Sequence, residues 1–188
     1  MSKARRRGRP KLGQQKLSAQ AILFSAQDLL QNSGKVPSIR MIADDLNVDP
    51  MAIYHYFPNK SALLEGVTVN LMESIYSPRP DGEWKEELVL LCQSYVSLLI
   101  RYSGLLETVL SMTNTGPADV FIARFNTITA TLTLPKESKK DSLDLLADYL
   151  HGFTLSAHCA PMEASLSMDM LDGPLRFYIK ALATCQNL

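Results

Sequence analysis

Cysteine is scarce in this chain: 188 residues hold three, Cys92, Cys159 and Cys185. They are scattered, with no C-x-x-C pair and no zinc spacing. Neither a disulfide framework nor a structural metal is expected, and the pattern fits a reducing cytoplasm. Long apolar runs are missing as well. No stretch of 18 apolar residues exists, so no transmembrane helix is expected. The basic N-terminus is not followed by the apolar core of a signal peptide. Histidine is limited to His55, His151 and His158. There is no G-x-S-x-G, no phosphate-cradling glycine loop and no H-E-x-x-H. An enzyme is therefore the rival class and not the expected one, and no cofactor is expected.

Net charge is absent only through cancellation. Residues 1–60 hold 10 Lys/Arg against 4 Asp/Glu, and residues 61–188 hold 9 against 15. Such asymmetry suggests one half that faces nucleic acid and another with a different task. The excess is concentrated in Lys3, Arg5, Arg6, Arg7, Arg9 and Lys11, with no acid among the first eleven residues. Arg7-Gly8-Arg9-Pro10 resembles an AT-hook core, whose arginines enter the narrow minor groove of A/T-rich DNA. The alternative is a basic tail that binds phosphates without sequence preference. Both readings put the arm on DNA.

The most informative stretch is SIRMIADDLNVDPMAIYHYFPNK, residues 38–60, which reads as a helix-turn-helix. Ser38 suits an N-cap. Ile39, Ile42, Ala43 and Leu46 recur at helical spacing, and Ala43 is small where a second helix crosses. Asn47 falls where a tight turn asks for a left-handed residue, and asparagine tolerates that conformation. Val48 plugs the corner. Asp49 is a second N-cap and Pro50 suits the first helical position. The spacing predicts a second helix over Met51–Phe57 with Ala52, Ile53 and Phe57 inward, and Asn59 as the cap of the next. The alternative is an ordinary helical hairpin in a core. The outward Met51, Tyr54, His55 and Tyr56 argue against it, because they are groups that contact base edges, thymine methyls and phosphates, unlike the Glu/Lys mix of a merely solvated helix.

Residues 18–67 resemble the DNA-binding domain of the tetracycline-repressor (TetR) family of bacterial transcriptional regulators. SAQAILFSAQDLLQNSG is similar to the family's first helix, SIRMIADDLNV to its second, and DPMAIYHYFPNKSALLEGV to its recognition helix and the start of the fourth. The run Y-H-Y-F followed by N-K is the most specific piece. The likeness is closest to the tetracycline repressor's own branch, from which Pro50 departs: a proline cannot donate the hydrogen bond that a polar residue makes there. The resemblance implies that Arg40 reaches a guanine and that Tyr54, Tyr56 and Lys60 grip phosphates. The DNA-facing set is then Arg7, Arg9, Ser38, Arg40, Pro50, Met51, Ala52, Tyr54, His55, Tyr56 and Lys60.

The rest reads as helix, giving an all-α chain. Ser18 caps a first helix with Ile22, Ala26, Leu29 and Leu30 inward, and Gly34 ends it. A long fourth helix is expected over 59–76, with Leu63, Leu64, Val67, Leu71 and Ile75 as its stripe. Ser77-Pro-Arg-Pro-Asp-Gly82 is a break and a natural domain boundary. Further helices are expected over 83–102, 105–112, 118–132, 138–158 and 174–186. Gly104, Gly116-Pro117, Pro135 and a loop over 159–173 act as breakers. ITATLTL at 128–134 is a possible strand, but Phe121, Phe125, Ile128 and Leu132 keep the helical period. The domains so read are a basic disordered arm at 1–16, a helix-turn-helix domain at 17–62 with its connector at 60–76, and a helical domain at 77–188.

Residues 81–188 resemble the family's ligand-binding and dimerisation domain more weakly, in helix number and order and in GEWKEELVLLCQSYVSLLIRY. That likeness implies a homodimer formed by the last two long helices. Leu143, Leu146, Leu150, Phe153 and Ala157 form one seam, and Leu175, Ile179, Leu182 and Ala183 a second stripe. Both are also suited to packing within one domain. Candidate pocket residues are Cys92, Tyr95, Leu99, Met112, Phe121, Phe125, Thr129, His151 and Leu155, each of which also suits plain core. His151 and His158 share a face, but without placed carboxylates they do not make a metal site. The resemblance implies a cytoplasmic repressor that binds palindromic double-stranded operator DNA as a homodimer and is released by a small apolar or aromatic effector. The alternative is a constitutive regulator without effector.

Overall fold

The computed structural model describes residues 17–111, 116–159 and 167–185, and these are helical with no strand among them. Three short helices form the N-terminal head: α1 (Ala19–Ser33), α2 (Ile39–Asp45) and α3 (Pro50–Tyr54). Each starts at a side-chain cap. Ser18, Ser38 and Asp49 accept from the amides of Ala21, Met41 and Met51 at 3.1, 3.2 and 2.8 Å. Such caps satisfy donors that have no partner inside the helix. Gly34 ends α1 at φ 64°, as its position after the apolar stripe predicts. Ile22, Ala26, Leu30, Ile42, Ala43 and Ile53 bury together as the core of the head.

The α2–α3 turn follows the expected chemistry. Asn47 adopts φ 52°, the one non-glycine with positive φ among the described residues. The Val48 amide then donates to the Ala43 carbonyl at 2.9 Å and closes the corner. The second helix is shorter than the sequence spacing predicts. It stops at Tyr54, and the amides of Tyr56 and Phe57 both turn back to the Ile53 carbonyl. Pro58 accounts for this, since a residue before proline is pushed out of the α region. Half-buried Phe57 then packs over α4 (Lys60–Glu73), where a Cβ on Gly66 would stand 3.1 Å from its ring.

Four further long helices build the C-terminal domain: α5 (Trp84–Arg101), α7 (Gly116–Ile128), α8 (Lys136–Cys159) and α9 (Asp172–Thr184). The short α6 (Ser103–Ser111) completes it. Helix α5 is the central element: it touches α4, α6, α7, α8 and α9 and buries Leu88, Leu91, Cys92, Tyr95, Val96 and Leu99. Several helix ends differ from expectation, and α4 stops at Glu73, short of residue 76. Gly104 is no breaker. It lies inside α6, where a Cβ would meet the Gly34 carbonyl at 3.2 Å, so its smallness lets α6 pass the end of α1. Nor does α7 run on to Leu132. It gives way to one 3-10 turn over Thr129–Thr131, and Leu132 is extended. β-branched threonines and Pro135 disfavour a continued helix there.

The carbonyl end of α4 is tied to the C-terminal domain at three points. Arg124 of α7 donates to the carbonyls of Glu73 at 2.9 Å, Tyr76 at 3.3 Å and Ile75. Ser94 Oγ accepts from the Tyr76 amide at 2.8 Å. Glu87 is a carboxylate buried on α5. It accepts from the Tyr76 hydroxyl, the Arg79 amide and Arg79 Nε at 2.8–2.9 Å. Burial alone would raise the pKa of Glu87. The Arg79 and Tyr76 donors outweigh it and hold the carboxyl below its ordinary range.

The expected dimer seams need correction. Leu146, Leu150, Leu175, Ile179 and Leu182 are buried inside the chain's own domain, with Leu150 at 0% exposure. Leu143, Phe153, Ala157 and Ala183 are half-buried, and the first two pack against the same core. The five buried residues serve intramolecular packing because α8 and α9 both lie on α5. The apolar surface left outside is rotated round the helices: Leu145 is 64% exposed and Phe177 77%. They flank a groove of about 580 Å3 with Tyr149, Pro174, Tyr178 and Ala181.

Two outcomes are expected. Asn47→Val forces a β-branched residue into the left-handed region and lowers stability by about 1–2 kcal/mol in denaturant unfolding, whereas Asn47→Gly is tolerated. Glu87→Gln lowers the melting temperature at pH 7. A carboxylate with a depressed folded-state pKa stabilises above its unfolded pKa, about 4.3, and that contribution fades as pH falls through the folded value. The gap between wild type and Glu87→Gln should therefore narrow in acid; a gap independent of pH counts against the assigned charge.

Candidate nucleic-acid interface

Helix α3 turns one side chain in and several out. Ile53 is wholly buried, while Met51, Tyr54 and His55 are exposed, Met51 at 63%. A capped helix thus holds apolar and aromatic groups in water. Pro50 and Ala52 are half-buried at the helix start, and Pro50 occupies its first turn. Arg40 projects from the first turn of α2 and Lys60 from the start of α4, both exposed. Ser38 is exposed but spends its hydroxyl as a cap. The structure thus brings Arg40, Met51, Tyr54, His55 and Lys60 onto the exposed surface of the head. Arg7 and Arg9 lie outside the described residues.

Tyr56 departs from its expected use. Its hydroxyl donates to the Leu17 carbonyl at 2.6 Å, so it ties the end of the helix-turn-helix to the root of α1. Two partly buried bonds fix the head from behind. Ser25 donates to Asp45 at 2.6 Å, joining α1 to α2, and Gln27 donates to Asn70 at 2.7 Å, joining α1 to α4.

Residues 37–67, the span of this turn and the start of α4, match the family model described as bacterial regulatory proteins, tetR family. Over these residues the chain is similar to that family. A curated relative, the tetracycline repressor protein class A from transposon 1721 of Escherichia coli, is 30% identical over 91 residues. That match covers 46% of this chain and 42% of the relative, so the chain spans less than half the relative's length. Solved structures share the fold. BioQ with its double-stranded DNA operator superposes with a TM-score of 0.72 at 19% identity, over 90% of this chain and 99% of that one. ActR of Streptomyces coelicolor in complex with actinorhodin gives 0.73 at 18% identity, over 89% and 95%.

Inside the C-terminal domain, the residues expected to line a pocket divide into three groups. Cys92, Tyr95, Leu99, Phe121, Phe125 and Thr129 are all buried. The rings of Tyr95 and Phe121 meet at a tilt of 41° with centroids 4.7 Å apart, and the Tyr95 hydroxyl lies 2.7 Å from His151 Nε2. Burial holds the pKa of His151 below its usual range against the pull of Asp148, so the imidazole is neutral at pH 7. Burial also raises the Cys92 thiol well above its usual range, which makes it a poor redox sensor. Thr129 returns its hydroxyl to the Phe125 carbonyl and is spent locally.

Leu155 needs correction: it is 57% exposed and turned away from this cluster. It lines an outer cleft of about 640 Å3 between α6 and α8, with Leu106, Leu110, His151 and His158. His151 is the one residue that belongs to both the cluster and the cleft. Met112 lies outside the described residues. Among those residues no cluster of three or more His, Cys, Asp or Glu is placed to hold a metal, and no single helix is long and apolar enough to cross a membrane.

Sequence reading missed Arg124 and Glu87. Glu87 had a visible signal: it sits one residue before Leu88 and four before Leu91, in the register of the buried stripe of α5. A carboxylate there has to find donors. Arg124 had none, because its carbonyl partners lie about 50 residues away in sequence.

Proposed function

We propose that this chain is a ligand-responsive DNA-binding transcriptional regulator, a repressor that binds a near-palindromic operator as a homodimer and is released by a small apolar or aromatic effector. The observation that carries the reading is the capped, outward-facing α3 within the segment that matches the tetR family. The operator and actinorhodin complexes of BioQ and ActR support it through the shared fold. The working division is a DNA-binding head at 17–62, a connector at 60–76 and an effector and dimerisation domain at 77–188. Arg7 and Arg9 precede the head and are assigned to the minor groove beside the operator.

Two recognition helices about 34–36 Å apart fit one turn of B-DNA. An effector that favours a different spacing lowers operator affinity by as much as its own affinity differs between the two states. In this reading the dimer face is the outward side of α8 and α9, centred on Leu145, Tyr149, Gly152 and Phe177. Gly152 has nothing within 4 Å of a built Cβ, so a partner helix can approach closely there.

Arg40→Ala should relax the base preference at one position per half-site, since a bidentate arginine–guanine contact is worth roughly 1–3 kcal/mol of discrimination. Lys60→Ala should weaken all sequences alike and lower the salt slope of log K by about one. A binding-site selection that returns the same preferences for Arg40→Ala removes its assigned role. Combining Leu145→Glu with Phe177→Glu should yield a helical monomer with operator affinity reduced by orders of magnitude. Leu150→Glu should instead unfold the domain, because it puts a carboxylate into the chain's own core. Sedimentation of the unmodified protein as a clean monomer at micromolar concentration would overturn the dimer and the mechanism together.

A further inference from the structure

A second groove runs along the other flank of α9, between it and the first half of α5, with a volume of about 640 Å3. Its floor is apolar: Val89 of α5, and Ile179 and Ala183 of α9. Three cations stand round it, Lys85 on α5 and Arg176 and Lys180 one turn apart on α9. This is unusual for its surroundings. Residues 61–188 hold 9 Lys/Arg against 15 Asp/Glu, yet three of those nine face this one groove. The other basic residues are employed elsewhere in several cases: Arg79 pairs with Glu87, Lys140 with Asp144, and Arg124 with carbonyls.

Arg176 and Lys180 have no ion-pair partner among the described residues, and Lys85 has only the Trp84 ring, 5.7 Å from its Nζ. Glu86 is the one carboxylate on the wall. The neighbouring groove between α8 and α9 is lined by no charged residue at all.

We infer that the α5–α9 groove binds an amphipathic organic anion, an alkyl or aromatic body lying on Val89, Ile179 and Ala183 with its acidic head held by Arg176, Lys180 and Lys85. Three like charges beside a low-dielectric wall repel one another, and an anion at that place reverses the sign of the interaction. Arginine and lysine bury their stems along apolar surface while keeping the charge at the rim, which suits an amphiphile. The volume falls within the range of small-molecule sites. The occupant inferred is a single molecule seated between the two helices, and not a lipid bilayer. This site is distinct from the Tyr95–His151 interior and from the face assigned to dimerisation.

The test uses the whole protein, with 1-anilinonaphthalene-8-sulfonate as fluorescent probe and decanoate and 1-decanol as competitors, both below aggregation. Decanoate should displace the probe at lower concentration than decanol, and more weakly as salt rises. Combining Arg176→Ala with Lys180→Ala changes two exposed side chains, so the fold and melting temperature should persist. That variant should lose about tenfold in decanoate affinity and with it the preference over decanol. Ala183→Trp, which fills the floor, should weaken both competitors. Equal decanoate affinity in wild type and the double variant overturns the site. So does loss of binding in Leu155→Arg alone, which would move the ligand to the α6–α8 cleft. Flotation of wild type with phosphatidylglycerol vesicles, without saturable decanoate binding, would make the patch a membrane contact and overturn the inference as well.

Discussion

The carbonyl end of α4 is the constraint on which the arrangement of this molecule depends. A helix leaves its last carbonyls without partners, and a partly buried end must find donors elsewhere. Here a single guanidinium, Arg124, supplies several of them from a helix about 50 residues distant. The buried carboxylate of Glu87 holds the segment that follows through Tyr76 and Arg79. Because α4 also packs on α1 and is bonded to it through Gln27 and Asn70, whatever fixes α4 fixes where the head stands.

The head itself is built with little material. Its core is a handful of aliphatic side chains, and three polar caps set where each helix begins. That economy leaves the outer side of α3 in water, with Met51, Tyr54 and His55 exposed. Tyr56 lies at the border between this outer side and the core. Its ring is exposed like those of its neighbours, but its hydroxyl holds the head together.

The C-terminal domain gathers its helices round α5, and this decides which surfaces remain outside. Helix α9 packs against α5 and buries Leu175, Ile179 and Leu182, and its two flanks then border two different grooves. One is apolar and uncharged, the other apolar and ringed by cations. The Tyr95–His151 pair sits deeper, and its neutral imidazole reaches outward to the α6–α8 cleft. One bundle thereby offers three chemically different surfaces.

The sequence by itself determined what local physics controls. Ser18, Ser38, Asp49 and Asn59 cap helices where their side chains compete for free amides, and Gly34 and Asn47 take left-handed backbone where the chain must turn. Those signals lie within a few residues of one another, so the helix-turn-helix was legible before any fold was known. Only the tertiary structure decided which side of an amphipathic helix faces its own domain. The stripes on α8 and α9 are equally suited to a partner or to α5, and the difference is settled by where α5 lies, which no periodicity encodes. The same holds for Gly104, whose smallness serves a neighbour 70 residues away, and for Arg124, whose bonds go to carbonyls and not to any side chain a pattern could reveal. Hydrophobic period records that a face is buried; the identity of what buries it is a property of the assembled chain.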